Sequence, residues 1–161
     1  MKKITSEEPI DHWGFLDVKD KVVLDLGCGI FHSTISTFEW FLKQGATQVI
    51  GVDLGNENSE NENFKYYPLC IDNDDKIKSL LTHPIDVIKA DIEGAEKYFK
   101  NITKDDLGKV TELAIEYHDE EMKDLVLSKI AEWAFGIVDT YQLFDIDIDK
   151  MGVIHAKNQA I

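Results

Sequence analysis

The residues with the clearest chemical potential lie in the segment VVLDLGCG, where Asp25, Gly27 and Gly29 form a D-x-G-x-G pattern. Glycines in such a turn let the backbone approach a ligand closely, although a tight turn without a ligand is the alternative. A second acid, Asp53, ends the next apolar run, where a carboxylate can accept hydrogen bonds from both hydroxyls of a ribose. The combination favours a ligand that contains adenosine.

Position 32 separates two kinds of adenosine cofactor. A dinucleotide turn reads G-x-G-x-x-G and places its third glycine against the pyrophosphate, whereas this chain has His32 there. Asp25 would repel a pyrophosphate but suits the cationic amino and sulfonium groups of S-adenosylmethionine. The turn therefore predicts S-adenosylmethionine as the cofactor and argues against a nicotinamide dehydrogenase.

Four polar residues follow two later apolar runs. Asp91 and Glu93 come after IDVIKA, and Glu116 and His118 end ELAIEYH. Residues two apart on a strand share a face, and ligands of parallel sheets bind beyond the carboxyl ends of the strands. If the two strands are neighbours, the four groups meet at the acceptor site, where a base can remove the proton of a hydroxyl. We therefore predict all four as catalytic residues.

Glu93 and His118 can also be interpreted as residues with a structural role and no catalytic one. Glu93 suits the N-terminus of a helix, and Asp119 beside His118 suits the cap of the next helix. A divalent metal bound by Asp91, Glu116 and His118 is a further alternative, since mixed carboxylate and imidazole groups bind several metals. We nevertheless predict that the chain binds no metal ion.

The elements that would position these residues alternate between strands and helices. Short apolar runs predict five strands, at residues 21–27, 48–54, 64–71, 85–92 and 110–118. Helical spacing predicts helices at 32–45, where Ser33 or Thr34 can cap, and at 75–81, 94–101 and 119–134. The segments 140–148 and 152–158 predict a closing antiparallel hairpin around the turn at Asp149.

This order predicts an α/β, Rossmann-like fold. Strands that alternate with helices form a mostly parallel central sheet with helices on both faces, and the hairpin adds an antiparallel edge. With 161 residues the chain can build one ordinary hydrophobic core, so we predict a single domain over residues 1–161.

Charge and composition narrow the partners. The chain has 31 acidic residues against 17 basic ones, all of them lysine, which gives a net charge of −14. Nucleic-acid binding usually requires a basic face with arginine, so we expect no nucleic-acid partner and a small-molecule acceptor instead. No run approaches the ~20 apolar residues of a membrane span, and we expect no membrane association. Two cysteines without metal-ligand spacing favour a reduced, cytoplasmic protein.

The segment IDVIKADIEGAE, with VVLDLGCG before it and ELAIEYH after it, resembles the FkbM-type methyltransferase family. The resemblance covers about residues 22–157. It implies the class I Rossmann-like methyltransferase fold, S-adenosylmethionine as cofactor, and methylation of a hydroxyl on a sugar or small metabolite.

The resemblance also implies roles for individual residues. Those expected to bind the cofactor are Asp25, Gly27, Cys28 and Gly29 at the methionine part, Asp53 at the ribose, Leu54, Cys70 and Ile71 at the adenine, and Asp91 beside the methyl group. The chain departs from the family at Phe31, where a further glycine is usual. We expect the Phe31 ring to narrow the methionine end of the pocket.

These observations predict an S-adenosylmethionine-dependent O-methyltransferase. The alternative is a non-catalytic module that keeps the methyltransferase fold for binding or interaction, and Phe31 is its best support. Because the chain is short and lacks an obvious cap over the sheet, the acceptor pocket is open or is completed by a second subunit in a homo-oligomer.

Overall fold

The computed structural model describes residues 2–4, 8–29, 36–55, 58–143 and 151–159. The predicted Ser33 or Thr34 cap, Phe31, His32 and the hairpin turn at Asp149 lie outside these residues.

The described residues form one nine-stranded sheet. Its strands are β1 (Lys2–Ile4), β2 (Val22–Leu26), β3 (Gln48–Asp53), β4 (Ser59–Glu60), β5 (Phe64–Pro68), β6 (Val87–Ala90), β7 (Glu112–Tyr117), β8 (Phe135–Leu143) and β9 (Gly152–Asn158). All five predicted apolar strands are present, as β2, β3, β5, β6 and β7.

The helices are α1 (Pro9–Trp13), α2 (Thr37–Lys43), α3 (Asp74–Leu80), a 3-10 helix η1 (Ala95–Asn101), α4 (Lys104–Leu107) and α5 (Glu120–Glu132). α5 lies within the predicted segment 119–134, and it begins at Glu120 because Asp119 caps its first turn by accepting a hydrogen bond from the Met122 amide at 2.7 Å. No helix among the described residues has the length and apolar character to span a membrane.

The order of strands in the sheet is β1-β8-β9-β7-β6-β2-β3-β5-β4. From β2 the chain moves outward through β3 to β5, and then returns to the other side of β2 with β6 and β7. All pairings in the run β7-β6-β2-β3-β5 are parallel. The order therefore reverses between β2 and β6, and in open α/β sheets ligands bind at this point.

The C-terminal hairpin is confirmed, because β8 and β9 pair antiparallel, although β8 begins at Phe135 and not at residue 140 as predicted. β9 also pairs antiparallel with β7, so it lies inside the sheet with β8 beyond it. The final strand at this side is β1, which pairs parallel with β8 and was not predicted. With only three residues, β1 is too short to produce a recognisable apolar pattern.

Two hydrophobic layers cover the two faces of the sheet. α3, η1, α4 and α5 pack on one face around Leu24, Ile88, Phe99 and Trp133. α1 and α2 pack on the other face around Val23, Val87, Trp13 and Phe41. The second face also includes the polar side chains of the candidate site.

Candidate functional site

The turn after β2 lies against the end of β6. Gly27 has a φ of +76°, and a Cβ on it would lie 1.7 Å from the backbone oxygen of Asp91. Its amide donates a hydrogen bond to the Val52 carbonyl at 2.8 Å. Gly27 is therefore required by the close approach of two strand ends, and this turn occupies the point where the strand order reverses.

Gly29 differs from Gly27 because space is open above it. Its φ is +71°, and a Cβ built on it would have no atom of the described part of the chain within 4 Å. The Gly29 amide donates a 2.7 Å hydrogen bond to Oδ2 of Asp53 at the end of β3. The backbone at Gly29 is thus held open beside a carboxylate.

The Asp53 carboxylate is half-buried and already ordered. Besides Gly29, the Leu54 amide donates to it, to Oδ1 at 2.7 Å. An ionised carboxylate has about four acceptor positions, so each Asp53 oxygen can accept a further hydrogen bond from a ligand hydroxyl.

The predicted adenine residues lie at the same edge of the sheet. The Leu69 amide donates to the Asp53 carbonyl at 2.9 Å, which brings the ends of β3 and β5 together. Leu54 is 63% exposed and Cys70 is exposed, whereas the Ile71 side chain is buried in the core. Leu54 and Cys70 therefore have surface free for a planar ring. Cys28 is fully buried under the turn, and its amide donates a hydrogen bond to the Val52 carbonyl at 3.2 Å, so its role toward the cofactor stays a prediction.

Asp25 does not face the edge of the sheet. Its side chain is fully buried, with Oδ1 3.2 Å from the Nζ of Lys89, and Oδ2 accepts a hydrogen bond from the Thr37 hydroxyl at 2.5 Å. Its charge is thus compensated within the protein, and the predicted contact of this carboxylate with cationic cofactor groups would require displacement of Lys89. In this structure the buried Asp25 side chain supports the turn after β2.

Lys89 is a functional candidate that the sequence reasoning missed. It is 1% exposed, pairs with Asp25 across β6 and β2, and its ammonium also donates hydrogen bonds to the carbonyls of Leu26 and Gly27. Burial lowers the pKa of Lys89, but the carboxylates of Asp25 and Asp91 outweigh it and hold the pKa above its usual range. The charged lysine in the apolar run VIKA was the available signal, because a charge is seldom buried without a partner.

α1 covers this polar layer. The Trp13 ring is 2% exposed and lies over Lys89, with 5.1 Å from Nζ to the ring centre. His12 stacks on Trp13 with ring centres 4.4 Å apart. Trp13 is therefore a core residue that shields the buried ammonium from water.

The four predicted catalytic residues lie at the adjacent ends of β6 and β7. One ligand atom each from Asp91, Glu93 and His118 lies within 4.8 Å of the others. His118 Nε2 is 3.5 Å from Oε2 of Glu93 and 3.7 Å from Oε1 of Glu116. The predicted juxtaposition is confirmed because β6 and β7 pair directly, while the catalytic role of each residue stays a prediction.

The side chains of these four residues differ in how much of them is exposed. The side chains of Glu93 and Asp91 are 86% and 27% exposed, whereas that of Glu116 is only 5% exposed. Burial raises the pKa of Glu116, against the opposing effect of His12, whose Nε2 is 3.3 Å from Oε2. Asp91 and Glu93 can therefore contact an acceptor directly, and Glu116 lies behind them.

Glu96 has a structural role within the same loop. Its carboxylate is fully buried and accepts hydrogen bonds from the amides of Ile92 and Gly94, both at 2.8 Å. The loop needs this support because Glu93 and Gly94 have φ values of +53° and +93°. Burial raises the pKa of Glu96 despite these two hydrogen bonds.

Comparisons with known proteins support the fold. No family model matches the chain, and no curated protein matches it. Solved structures do match. An rRNA methylase from Streptococcus thermophilus has a TM-score of 0.56 at 17% identity, over 88% of this chain and 89% of that one.

Two further structures are similar. A protein of the NADB-Rossmann superfamily from Streptococcus agalactiae has a TM-score of 0.61 at 15% identity, over 98% of this chain and 70% of that one. Magnesium protoporphyrin IX methyltransferase from Synechocystis, crystallised with bound S-adenosylmethionine, has a TM-score of 0.55 at 12% identity, over 88% of this chain and 72% of that one. At these identities the likeness establishes the fold, and this chain has the α/β Rossmann-like fold of methyltransferases with a C-terminal antiparallel hairpin.

Proposed function

We propose that this protein is an S-adenosylmethionine-dependent methyltransferase that transfers a methyl group to a hydroxyl of a sugar or other small metabolite. The observation that carries the proposal is Gly29, whose amide donates a hydrogen bond to Asp53 where the strand order reverses, and above which no other described residue lies within 4 Å of a built Cβ. The methyltransferase neighbours support the general activity, whereas the hydroxyl acceptor rests on the resemblance to the FkbM-type family.

The residues present fit S-adenosylmethionine at this edge. Asp53 has acceptor positions left for two ribose hydroxyls, and Leu54 is exposed next to it for contact with the adenine. The carboxylates of Asp91 and Glu93 add negative charge near the end of β6, which favours a cationic sulfonium. When bound, the cofactor supplies an activated methyl group on sulfur.

The protein would mainly hold the acceptor oxygen in line with that methyl group. A bound cofactor would supply the methyl group to that oxygen, and the hydroxyl proton would pass to a base of the protein. Asp91 and Glu93 are the exposed carboxylates beside the end of β6, so we assign the proton to one of them. His118 and Glu116 lie behind them and would position that base or relay the proton.

The acceptor class rests on charge as well as on the resemblance. A net charge of −14 without arginine disfavours a polyanionic substrate, although several structural neighbours are named as RNA methyltransferases. The rival reading is a methyltransferase-fold module without catalysis. It predicts no turnover with any acceptor, whether or not the cofactor binds.

The test has two stages. Calorimetry with S-adenosylhomocysteine should show binding to the wild-type protein, and absence of heat over a wide concentration range would contradict the proposal. Methyl transfer is then measured with a panel of hydroxylated sugars and small metabolites, with a short RNA as the opposing substrate. Loss of the true base, in Asp91→Asn or Glu93→Gln, should lower turnover about 10²- to 10⁴-fold with cofactor affinity almost unchanged. Asp124→Asn on the exposed surface of α5 is the control of equal charge change.

A further inference from the structure

The ends of β6 and β7 concentrate negative charge around one imidazole. The carboxylates of Glu93, Glu96 and Glu116 each have an oxygen within 4.0 Å of a His118 ring nitrogen, at 3.5, 3.9 and 3.7 Å. Among the described residues, the other nearby basic side chains are Lys89, whose Nζ lies 3.2 Å from Asp25 and 3.9 Å from Asp91, and His12, which faces Glu116. Within the described part of the chain, carboxylates therefore outnumber the basic side chains around this imidazole.

We infer that Asp91, Glu93 and His118 bind a divalent metal ion of the Mn²⁺, Fe²⁺ or Zn²⁺ type. Their ligand atoms already lie within 4.8 Å of one another, so a short contraction brings all three to a common centre. Two carboxylates with one imidazole suit these metals, whereas Mg²⁺ and Ca²⁺ prefer oxygen ligands alone.

A second observation is independent of these three residues. Glu116 is 5% exposed. Its Oε2 faces His12 Nε2 at 3.3 Å, whereas its Oε1 faces His118 Nε2 at 3.7 Å, toward the proposed metal ligands. A buried carboxylate is costly unless a cation lies near it. A metal ion at the cluster would supply that cation.

The other nitrogen of His118 is also explained by this site. Nδ1 is buried and accepts or donates no hydrogen bond with any residue that the structure describes, and Oε2 of the fully buried Glu96 lies 3.9 Å from it. Metal-bound histidines commonly donate the remaining N–H to a carboxylate, which fixes the ring. With the metal on Nε2, a small rotation of the ring would let Nδ1–H donate to Glu96.

This site would deepen the proposed function. A cation next to Asp91 could bind the acceptor oxygen and stabilise its negative charge as the proton leaves. That role rests on the proposed function, whereas the binding of metal does not.

The experiment measures metal binding without any cofactor. Mn²⁺ is titrated into the metal-free protein, and the electron paramagnetic resonance signal of free Mn²⁺ gives the bound fraction. We expect one saturable site that Zn²⁺ displaces, and removal of a ligand in Glu93→Gln or His118→Gln should weaken Mn²⁺ binding at least about tenfold. Glu116→Gln, which removes an outer carboxylate, should weaken it about 10- to 100-fold.

Asp124→Asn is the control and should bind Mn²⁺ like the wild type, because its charge change lies on the exposed face of α5. Glu93 is 86% exposed, so Glu93→Gln should fold even if a variant of a buried residue does not. Absence of saturable binding, or equal affinity in the wild type, Glu93→Gln and His118→Gln, would overturn the inference. Mn²⁺ binding without methyl transfer would leave the metal site standing and count against the proposed function alone.

Discussion

Replacement of Lys89 by methionine should destabilise the protein strongly. Methionine has nearly the same length as the lysine stem but leaves the fully buried Asp25 without the cation 3.2 Å from its Oδ1. Removal of one partner of a buried ion pair costs about 3–5 kcal/mol of unfolding free energy. In a domain of this size each kcal/mol corresponds to about 2–4 °C in the melting temperature, so we expect a fall of about 6–20 °C.

The control is Lys129→Met. Lys129 is also nearly buried, and its ammonium contacts Glu132 at 2.7 Å, but Glu132 is 55% exposed and stays hydrated when the lysine is removed. An ion pair of this kind contributes about 1 kcal/mol or less. The two variants therefore compare the same substitution with a buried and with an exposed partner.

A double mutant separates charge from packing. Asp25→Asn in the Lys89→Met background removes the uncompensated charge and keeps the size of the side chain. We expect a coupling free energy of about 1–3 kcal/mol between the two positions, measured by urea unfolding. Additive losses, or a Lys89→Met protein as stable as the wild type, would refute the assignment of Lys89 as the counter-charge of Asp25.

The remaining predictions concern the ligand edge, pH and polyanions. Gly29→Arg should abolish detectable S-adenosylhomocysteine binding in calorimetry. Gly29→Ala adds backbone strain without bulk and should lower the free energy of unfolding by only about 1 kcal/mol. Equal binding by both variants and the wild type would place the ligand elsewhere. Asp53→Ala should weaken the same binding, with circular dichroism unchanged. Burial raises the pKa of Glu112, but the 2.7 Å hydrogen bond with His155 and the charge of a nearby lysine leave it below its ordinary value. Its stabilisation is therefore complete above the unfolded pKa of about 4.3 and is lost as pH falls further, so the melting-temperature difference between wild type and Glu112→Gln should shrink below about pH 4. Bulk DNA or RNA should give no gel shift at micromolar protein in physiological salt, and a salt-sensitive shift would contradict the small-molecule acceptor.

The parallel part of the sheet could be predicted because each of its strands is an apolar run that ends at a turn signal. β2, β3, β6 and β7 follow from their composition, and the convergence of Asp91 with His118 follows once β6 and β7 are neighbours. The position of β9 between β7 and β8 could not be read in the same way, because hairpin patterns do not specify which strand pairs with the rest of a sheet.

The environment of Asp25 is the main difference between the site predicted from the sequence and the site in the structure. From the sequence its carboxylate was expected to meet the cofactor, but period-two alternation places it with Lys89 on the face that α1 covers. α1 spans only five residues and contains a proline, so it gave no periodic signal from which that cover could be inferred. Long-range charge pairing depends on strand register, which a single sequence does not reveal.

The insertion of β9 has a consequence for the order in which the chain is made. β7 ends next to His118. Its neighbour on one side, β6, precedes it in the chain, whereas its neighbour on the other side is β9, at residues 152–158. β1 pairs with β8 across more than 130 residues, as Lys2 with Tyr141 shows. During synthesis the outer edge of β7 therefore stays unpaired until the hairpin emerges from the ribosome. Pairings between such distant segments slow the last step of folding.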